Sequence, residues 1–177
     1  VNYEKALEYY SKSLVIRKEI GEKKGMGSSC NNIGNVYNIQ GDYEKALEYY
    51  SKSLAIDKEL DNKKSIGNTY SNIGLIYLNR DNHEKALEYY SKSLGIKKEL
   101  GRKEEIVASY NDIGVIYQNQ GNYEKALEYY SKSLAIDTEL GNKIHVANSY
   151  INIGNIYSDQ GNYEKALKYY LKSLAIS

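Results

Sequence analysis

Few side chains in this sequence could carry out chemistry, and their spacing does not bring them together. Cys30 is the single cysteine among 177 residues, which excludes an intramolecular disulfide and a thiolate metal cluster. The two histidines, His83 and His145, stand far apart, without acidic residues or cysteines at metal-ligand spacing. No Gly-rich phosphate loop or nucleophile motif occurs either. We therefore expect no catalytic residue, no metal site and no cofactor, so the sequence predicts a protein that is not an enzyme.

Charge and hydropathy argue against two further classes of partner. The 24 lysines and arginines balance 23 aspartates and glutamates, for a net charge of +1. This balance removes the electrostatic case for binding nucleic acid or an anionic membrane. No apolar run approaches the length of a membrane span, and no signal peptide is visible at Val1. We expect a cytoplasmic protein that does not insert into membranes.

A 40-residue internal repeat organises the chain. The segment Glu-Lys-Ala-Leu-Glu-Tyr-Tyr-Ser-Lys-Ser-Leu occurs at residues 4–14, 44–54, 84–94 and 124–134, and a variant with Lys168 and Leu171 fills 164–174. A second block, Asn-x-Ile-Gly-x-x-Tyr in its fullest form, precedes four of these copies. All 21 tyrosines fall into five positions of the period, so the aromatic excess belongs to the repeat and does not indicate an aromatic binding site.

Both blocks are helical by their spacing. Cys30, Ile33, Gly34 and Tyr37 stand at i, i+3, i+4 and i+7, which is one face of an α-helix. We call the helices with this block first-type and those with the Glu-Lys-Ala-Leu block second-type. The alternating acidic and basic residues of the second-type helices are typical of a solvated face. Capping pairs of Gly or Asp with Asp or Asn mark the breaks. The prediction is nine helices, near 2–20, 25–40, 42–60, 65–80, 82–100, 105–120, 122–140, 145–160 and 162–176.

A glycine stands in the middle of each full first-type helix, at positions 34, 74, 114 and 154. Glycine in a helix interior costs about 1 kcal/mol relative to alanine, so a packing contact must offset this cost. We expect a close approach of the second-type helices at their alanines, so that small residues face small residues. These alanines are Ala46, Ala86, Ala126 and Ala166.

The paired blocks resemble the tetratricopeptide repeat. The second full repeat matches the family pattern at Tyr70, Ile73, Gly74, Tyr77, Ala86, Tyr90, Ser93 and Leu94, and the other full repeats match in step. The period is 40 and not 34, and the helix-ending proline is missing, which predicts a lengthened second-type helix. This longer form is similar to repeats in kinesin light chain, Pins-type adaptors and bacterial sensors and regulators. The resemblance implies an all-α, right-handed superhelical solenoid of antiparallel helix pairs.

The expected domain organisation is a single array over residues 1–177. It comprises a lone second-type helix at 1–24 and helix-pair repeats at 25–64, 65–104, 105–144 and 145–177. The array looks truncated at both ends, so we expect each end to expose surface that a parent protein covers. Leu171 replaces a serine there, and it either packs on a following element or reflects ordinary drift. Self-association through these ends, giving a homo-oligomer, is therefore one hypothesis.

The resemblance also implies a site for a protein or peptide ligand in the concave groove lined by the first-type helices. The column Asn32, Asn72, Asp112 and Asn152 matches positions at which the family commonly holds a ligand's backbone. Leu75, Val115 and Ile151 would add side-chain selectivity, and Asp112 and Asp159 would orient the ligand. The remaining groove candidates are Asn31, Asn35, Asn79, Asn111, Asn119, Asn148 and Asn155.

Other interpretations remain open. The asparagines could simply solvate a helix face or bond neighbouring helices. The chain could be a structural, self-assembling array, or the sensory segment of a larger signalling protein. Cys30 is expected to be a buried, inert thiol, because tyrosine fills its position elsewhere. Of each Tyr-Tyr pair, one ring should be buried and the other should pack on the outer surface.

Overall fold

A computed structural model describes residues 2–176 of the chain. Over this range the structure contains nine α-helices and no strand, which confirms the all-α prediction. The helices are α1 Tyr3–Glu19, α2 Lys23–Ile39, α3 Tyr43–Glu59, α4 Lys63–Asn79, α5 His83–Glu99, α6 Lys103–Asn119, α7 Tyr123–Glu139, α8 Lys143–Asp159 and α9 Tyr163–Leu174. The odd-numbered helices are second-type and the even-numbered helices are first-type.

The helices follow one another at a constant spacing. Each of α1 to α8 has 17 residues, and successive helices start 20 residues apart. The second-type helices α1, α3, α5 and α7 are as long as the first-type helices, and a lengthening relative to the 34-residue form stays a prediction. The first-type helices begin two residues earlier than the sequence indicated. In α2 a cap stabilises this start, because the carboxylate of Glu22 accepts a hydrogen bond from the backbone N–H of Gly25 at 2.7 Å. Acidic side chains are favourable at a helix N-terminus.

The breaks between helices carry the expected turn and cap residues. Six of the turns have glycine in the left-handed region, as at Gly41 with φ +78°, where a side chain would be strained. Asp61 and Asp81 adopt the same conformation, with φ of 50° and 53°. Asp42 and Asn122 then cap second-type helices by accepting from the backbone N–H groups of Lys45 and Lys125, each at 3.2 Å. These caps confirm the break positions.

The described chain divides into two compact units, the first ending at Ile96 and the second starting at Lys97. In the first unit, α2, α3 and α4 pack in succession, and α1 packs on α2. Its best-defined core cluster joins Ala46 and Tyr50 of α3 to Ile73 and Ile76 of α4. The core is therefore a thin layer shared by neighbouring helices, which is the usual arrangement in repeat proteins.

The second unit repeats this packing. Here α6, α7, α8 and α9 contact one another in chain order. The core cluster joins Ala126 and Tyr130 of α7 to Ile153 and Ile156 of α8, which occupy the same positions of the period as those of the first unit. The same residue types thus give the same local packing wherever the period places them.

The mid-helix glycines face tyrosine rings more closely than they face alanines. A Cβ added to Gly34 would lie 2.7 Å from Tyr50 Cδ1 and 3.3 Å from the carbonyl oxygen of Ala46. The expected contact of small residues is therefore only part of the reason for glycine here. The larger part is the buried tyrosine four residues after each alanine, which needs the space that a side chain would fill.

Candidate interaction surface

The predicted ligand-binding residues lie on one face of the first-type helices, which we call the first-type face. Its polar residues are half-buried at Asn31, Asn32, Asn35, Asn72, Asn111, Asp112, Asn152 and Asn155, and exposed at Asn79, Asn119, Asn148 and Asp159. The apolar residues Leu75, Val115 and Ile151 are each about two-fifths exposed. The face therefore alternates hydrogen-bonding groups with accessible aliphatic side chains within each unit.

In the first unit, several of these amides bond neighbouring helices. Asn35 Oδ1 accepts from the hydroxyl of Tyr50 at 2.7 Å and from Asn72 Nδ2 at 3.0 Å. Asn31 Nδ2 donates to the hydroxyl of Thr69 at 2.8 Å. The structural interpretation of the asparagines is thus correct for Asn31 and Asn35, and the donor of Asn72 is already in use.

Asn32 and Asn152 differ from these asparagines. Within residues 2–176 neither side chain forms a hydrogen bond to the protein, although both are half-buried. An amide side chain offers a donor and an acceptor together, which matches one peptide unit. These two positions therefore keep their full hydrogen-bonding capacity, one in each unit.

In the second unit a short network runs along the first-type face. Gln118 Oε1 accepts from the hydroxyl of Tyr130 at 3.0 Å, and Gln118 Nε2 donates to Asp159 Oδ2 at 2.7 Å. Asn155 Oδ1 accepts from the hydroxyl of Tyr170 at 2.8 Å. The network holds Asp159 in place at the edge of the face.

Asp112 is the acidic member of the asparagine column. Burial raises its pKa to about 6, and the nearby ammonium of Lys97 acts in the opposite direction. Lys97 itself is only 6% exposed and donates to the hydroxyl of Ser109 at 2.9 Å. Burial lowers the pKa of Lys97, opposed by the carboxylates of Asp112 and Glu105. The column thus has a carboxyl group near a buried ammonium where the other repeats have a neutral amide.

An apolar cavity of about 400 Å³ lies at the end of the second unit. Ile144, Ala147 and Ile151 of α8 line it, together with Ser173 and Ile176. Two of these residues replace polar residues of the other repeats. Ile144 stands where the others have Lys24, Lys64 and Glu104, and Ile151 stands where they have Asn31, Ser71 and Asn111. The last repeat therefore has the most apolar first-type face.

Sequence reasoning missed a set of partly or fully buried charges on the second-type helices. Arg17, Asp57, Lys97 and Asp137 occupy one position of the period, and we call them the junction charges. Arg17 is half-buried and the other three are buried, so the expectation of a solvated charged face is wrong at this position. A signal was present: Asp57 continues the stripe of Ala46, Tyr50 and Ser53 at i, i+4, i+7 and i+11.

Each junction charge meets a different set of partners. Asp57 accepts from the hydroxyls of Ser53 at 3.1 Å and Ser65 at 2.7 Å, and from Asn62 Nδ2 at 2.8 Å. Asn62 makes no capping bond to its own helix, since its amide points to Asp57 instead. Arg17 faces a carboxylate, with 3.5 Å between its Nε and Glu22 Oε2.

The junction at Asp137 contains a histidine. His145 Nδ1 lies 3.3 Å from Asp137 Oδ1, and the hydroxyls of Ser133 and Ser149 are close by. Burial raises the pKa of Asp137, whereas His145 and the two hydroxyls lower it. Neither carboxylate oxygen receives a well-aligned hydrogen bond from the described residues. This junction is therefore less fully satisfied than the one at Asp57.

The outer tyrosines pack against the first-type helices. Tyr37 and Tyr49 stack with ring centroids 5.8 Å apart, and Lys52 Nζ lies 4.4 Å from the centroid of Tyr49. The same stack recurs in the other repeats, as for Tyr117 and Tyr129 at 5.6 Å. Stacked aromatic pairs and cations over rings each add about 0.5–1 kcal/mol at such sites. The expectation that the outer rings pack is confirmed for Tyr49, Tyr89, Tyr129 and Tyr169, whereas Tyr9 of α1 is 68% exposed.

Cys30, His83 and His145, whose side chains could carry out chemistry, lie on three different helices. Cys30 is buried, and burial raises the pKa of its thiol. His145 belongs to the Asp137 junction, and His83 begins α5. Among residues 2–176 no group of three or more histidines, cysteines and acidic residues has a geometry that could hold a metal ion.

Comparisons with known proteins agree with this architecture. A family model described as tetratricopeptide repeat matches residues 2–59, 25–99 and 105–177. The chain belongs to the tetratricopeptide-repeat family, and the resemblance drawn from its motifs is confirmed. No curated protein matches the chain.

Several solved structures share the fold. BtubC from P. vanneervenii matches with a TM-score of 0.88 at 22% identity, over 99% of this chain and 73% of that one. A putative kinesin light chain from Podospora anserina, with nearly identical repeats, matches with a TM-score of 0.79 at 18% identity, over 98% and 86%. The tetratricopeptide-repeat sensor of a signal-transduction ATPase from Pyrococcus horikoshii matches with a TM-score of 0.81 at 25% identity, over 87% and 24%.

None of the helices between residues 2 and 176 combines the length and the apolar character that crossing a bilayer requires.

Proposed function

We propose that this chain is a non-catalytic protein-interaction scaffold that binds an extended peptide segment of a partner along the first-type face. Tetratricopeptide repeats support a protein-interaction role in general and are typically non-catalytic. The proposal that a peptide binds along this face rests on one observation. The side chains of Asn32 and Asn152 are half-buried, and their amide groups form no hydrogen bond within residues 2–176. Each can pair with one peptide unit of a ligand.

Apolar groups on the same face would supply selectivity. Leu75, Val115 and Ile151 are accessible there, and small apolar contacts beside fixed polar groups are typical of peptide recognition. Asp112 and Asp159 offer acceptors only, which favours ligand N–H groups or cations at those two positions. The single arginine near this region, Arg80, is held by Glu44 at 3.0 Å, so a carboxylate of the ligand has no obvious cationic partner there.

The test is selection of peptides from a random library on the immobilised chain, followed by measurement of affinity. Asn32→Ala combined with Asn152→Ala should weaken the selected peptides by tenfold or more. Ser131→Ala, on the outer surface of α7, is the matched control and should leave affinity unchanged. Selected peptides that bind the double variant as tightly as the wild type would refute the first-type face as the binding site.

A second candidate function is self-assembly through exposed apolar surface. Val15 and Ile16 of α1 and Ile20, which follows that helix, are more than half exposed, as are Leu167 and Leu174 of α9. Large apolar side chains exposed so close together in sequence favour association with another surface. Light scattering over a range of concentrations tests this candidate, since a constant monomer mass would exclude it.

The third candidate is a sensory segment within a larger signalling protein. The solved structure that favours it contains a tetratricopeptide-repeat sensor of a signal-transduction ATPase, of which this chain spans about a quarter. In that case the bound partner would regulate a domain outside these 177 residues. Peptide binding by this chain alone is compatible with both the interaction scaffold and the sensory segment. Sequencing the rest of the gene, to learn whether it encodes a signalling domain, distinguishes the two.

A further inference from the structure

The second-type helices α3 and α5 present almost the same buried side to their neighbours. From Tyr43 to Asp57 and from His83 to Lys97 they differ at three positions only, the first, the thirteenth and the last. The thirteenth position, Ala55 or Gly95, is exposed, and the first lies at the start of the helix. Alanine, tyrosine and serine are buried at the same places in both helices. The junction charge is therefore the one fully buried position that distinguishes them.

The sign of the junction charge alternates along the chain. Arg17 is positive, Asp57 negative, Lys97 positive and Asp137 negative. Since identical helices could pair in more than one way, a feature that differs from repeat to repeat is needed to select one pairing. Alternation gives adjacent repeats the largest possible difference at this position.

The facing groups on the following first-type helix change in step with the charge. The carboxylate of Glu22 faces Arg17, whereas Asp57 receives the neutral donors Asn62 and Ser65. At the next junction the same positions hold Arg102 and Glu105, which pair at 2.5 Å. Glu105 and Asp112 act on Lys97 as two negative charges, opposed by the positive charge of Arg102. At the last junction, His145 stands beside Asp137.

An exchange of partners would leave buried charges without compensation. Lys97 in the place of Asp57 would meet the amide of Asn62 and the hydroxyl of Ser65, which can accept a hydrogen bond but carry no negative charge to offset the ammonium. Asp57 in the place of Lys97 would meet the carboxylates of Glu105 and Asp112 and a single cation, Arg102, which already pairs with Glu105. Leaving a buried charge unpaired is strongly destabilising, whereas the contribution of a matched pair to stability is small. The junction charges therefore distinguish correct from incorrect pairing more than they stabilise the fold.

We propose that the junction charges are a pairing code, in which the sign of each charge matches a second-type helix to the first-type helix that follows it and distinguishes it from the second-type helices of the adjacent repeats. The recognised partner is within the same chain, so the code acts during folding and protects the array from skipped or exchanged repeats. The proposal concerns assembly of the fold and is independent of ligand binding on the first-type face.

The first experiment tests whether the charge at position 97 must be opposite to that of Glu105 and Asp112. Lys97→Asp should lower the Tm of the full chain by roughly 10 °C, because it places a carboxylate among carboxylates. Adding Glu105→Ser and Asp112→Asn replaces both carboxylates by the residues found beside Asp57 and leaves Arg102 as a counter-charge, so it should return the Tm to within a few degrees of the wild type. A triple variant no more stable than Lys97→Asp alone would overturn the proposal.

The second experiment tests the code itself. The same triple variant makes two successive junctions alike, so it should be stable and yet pair less selectively. After dilution from denaturant, we expect its dimeric and higher fraction in size-exclusion chromatography to exceed that of the wild type by at least threefold. The matched control carries the same residue changes at exposed positions, Lys64→Asp, Glu104→Ser and Asp61→Asn, and should refold like the wild type. Equal monomer yields for the triple variant and the wild type would overturn the code.

Discussion

The ring of Tyr50 occupies the space in which a side chain on Gly34 would lie, since an added Cβ would stand 2.7 Å from Tyr50 Cδ1. The same relationship joins Gly114 to Tyr130, at 2.6 Å. Atoms that are not bonded do not approach so closely, so these glycines are required by packing and not by backbone conformation. In these two helix pairs, burial of the tyrosine ring offsets the conformational cost of the mid-helix glycine.

Gly114→Ala should lower the free energy of unfolding by about 1–3 kcal/mol, although alanine is the better helix former, because the new methyl group displaces the ring of Tyr130. Gly95→Ala is the matched control. Nothing lies within 4 Å of a Cβ at that position, so we expect stabilisation of about 0.5–1 kcal/mol there. Urea denaturation of both variants measures the difference, and a stabilising effect of Gly114→Ala would contradict the packing explanation.

Stability should depend on pH through Asp112. Its pKa is about 6 in the folded chain because of burial, against about 3.9 for an unfolded aspartate. A raised carboxyl pKa favours the folded state most below about pH 4, and this contribution is lost as the pH rises through 6.

The matched variant for this titration is Asp112→Asn, which cannot ionise. Between about pH 4 and pH 7 the wild type should lose roughly 2–3 kcal/mol of unfolding free energy relative to this variant. Urea titrations at several pH values, followed by far-ultraviolet circular dichroism, provide the comparison. A difference between the two proteins that stays constant with pH would show that Asp112 titrates normally.

The buried hydroxyl of Tyr50 should make a measurable contribution to the free energy of unfolding. Tyr50→Phe removes the donor to Asn35 Oδ1 and should cost about 1 kcal/mol, with a concurrent loosening of the bond from Asn72 to the same oxygen. Tyr9→Phe is the control, because that ring is 68% exposed. Thermal unfolding that is equally affected by both substitutions would argue against a role for the hydrogen bond.

Leu171→Ser restores the residue found at this position in the other repeats. Because the leucine is 55% exposed, the substitution should change the unfolding free energy by less than about 0.5 kcal/mol. If the ends of the chain associate, the variant should also show a lower average mass than the wild type at high concentration. An unchanged mass distribution would remove Leu171 from any self-association surface.

The sequence was informative wherever the period and the local chain determine the structure. The nine helices, their caps at residues such as Asp42 and Asn122, and the burial of Cys30 all follow from spacing and capping chemistry. The first-type helices begin two residues earlier than predicted, whatever residue precedes them. Glu22 and Asn142 cap α2 and α8 through their side chains, whereas α4 and α6 begin at the same position of the period without such a bond. One capping side chain therefore does not determine these boundaries, which makes them hard to predict from local residue types.

The candidate site was harder to predict, for a physical reason. Whether an asparagine is available depends on which side chain of the next helix reaches it. Asn72 is bonded to Asn35, whereas Asn152 of the same column is not bonded to the described chain, although the two occupy equivalent positions. The burial of Asp57 and Lys97 was missed for the same reason, since charge patterning alone does not show which charges have partners across a helix junction.

The constant spacing of the helices has a consequence for the gene. Because every helix starts 20 residues after the previous one, any insertion or deletion of forty codons preserves both the order of helix types and all helix boundaries. A gain or loss of one whole repeat therefore leaves the ligand-facing positions of every remaining repeat in register. The signs of the junction charges alternate with a period of two repeats, so only changes of eighty codons preserve that alternation as well.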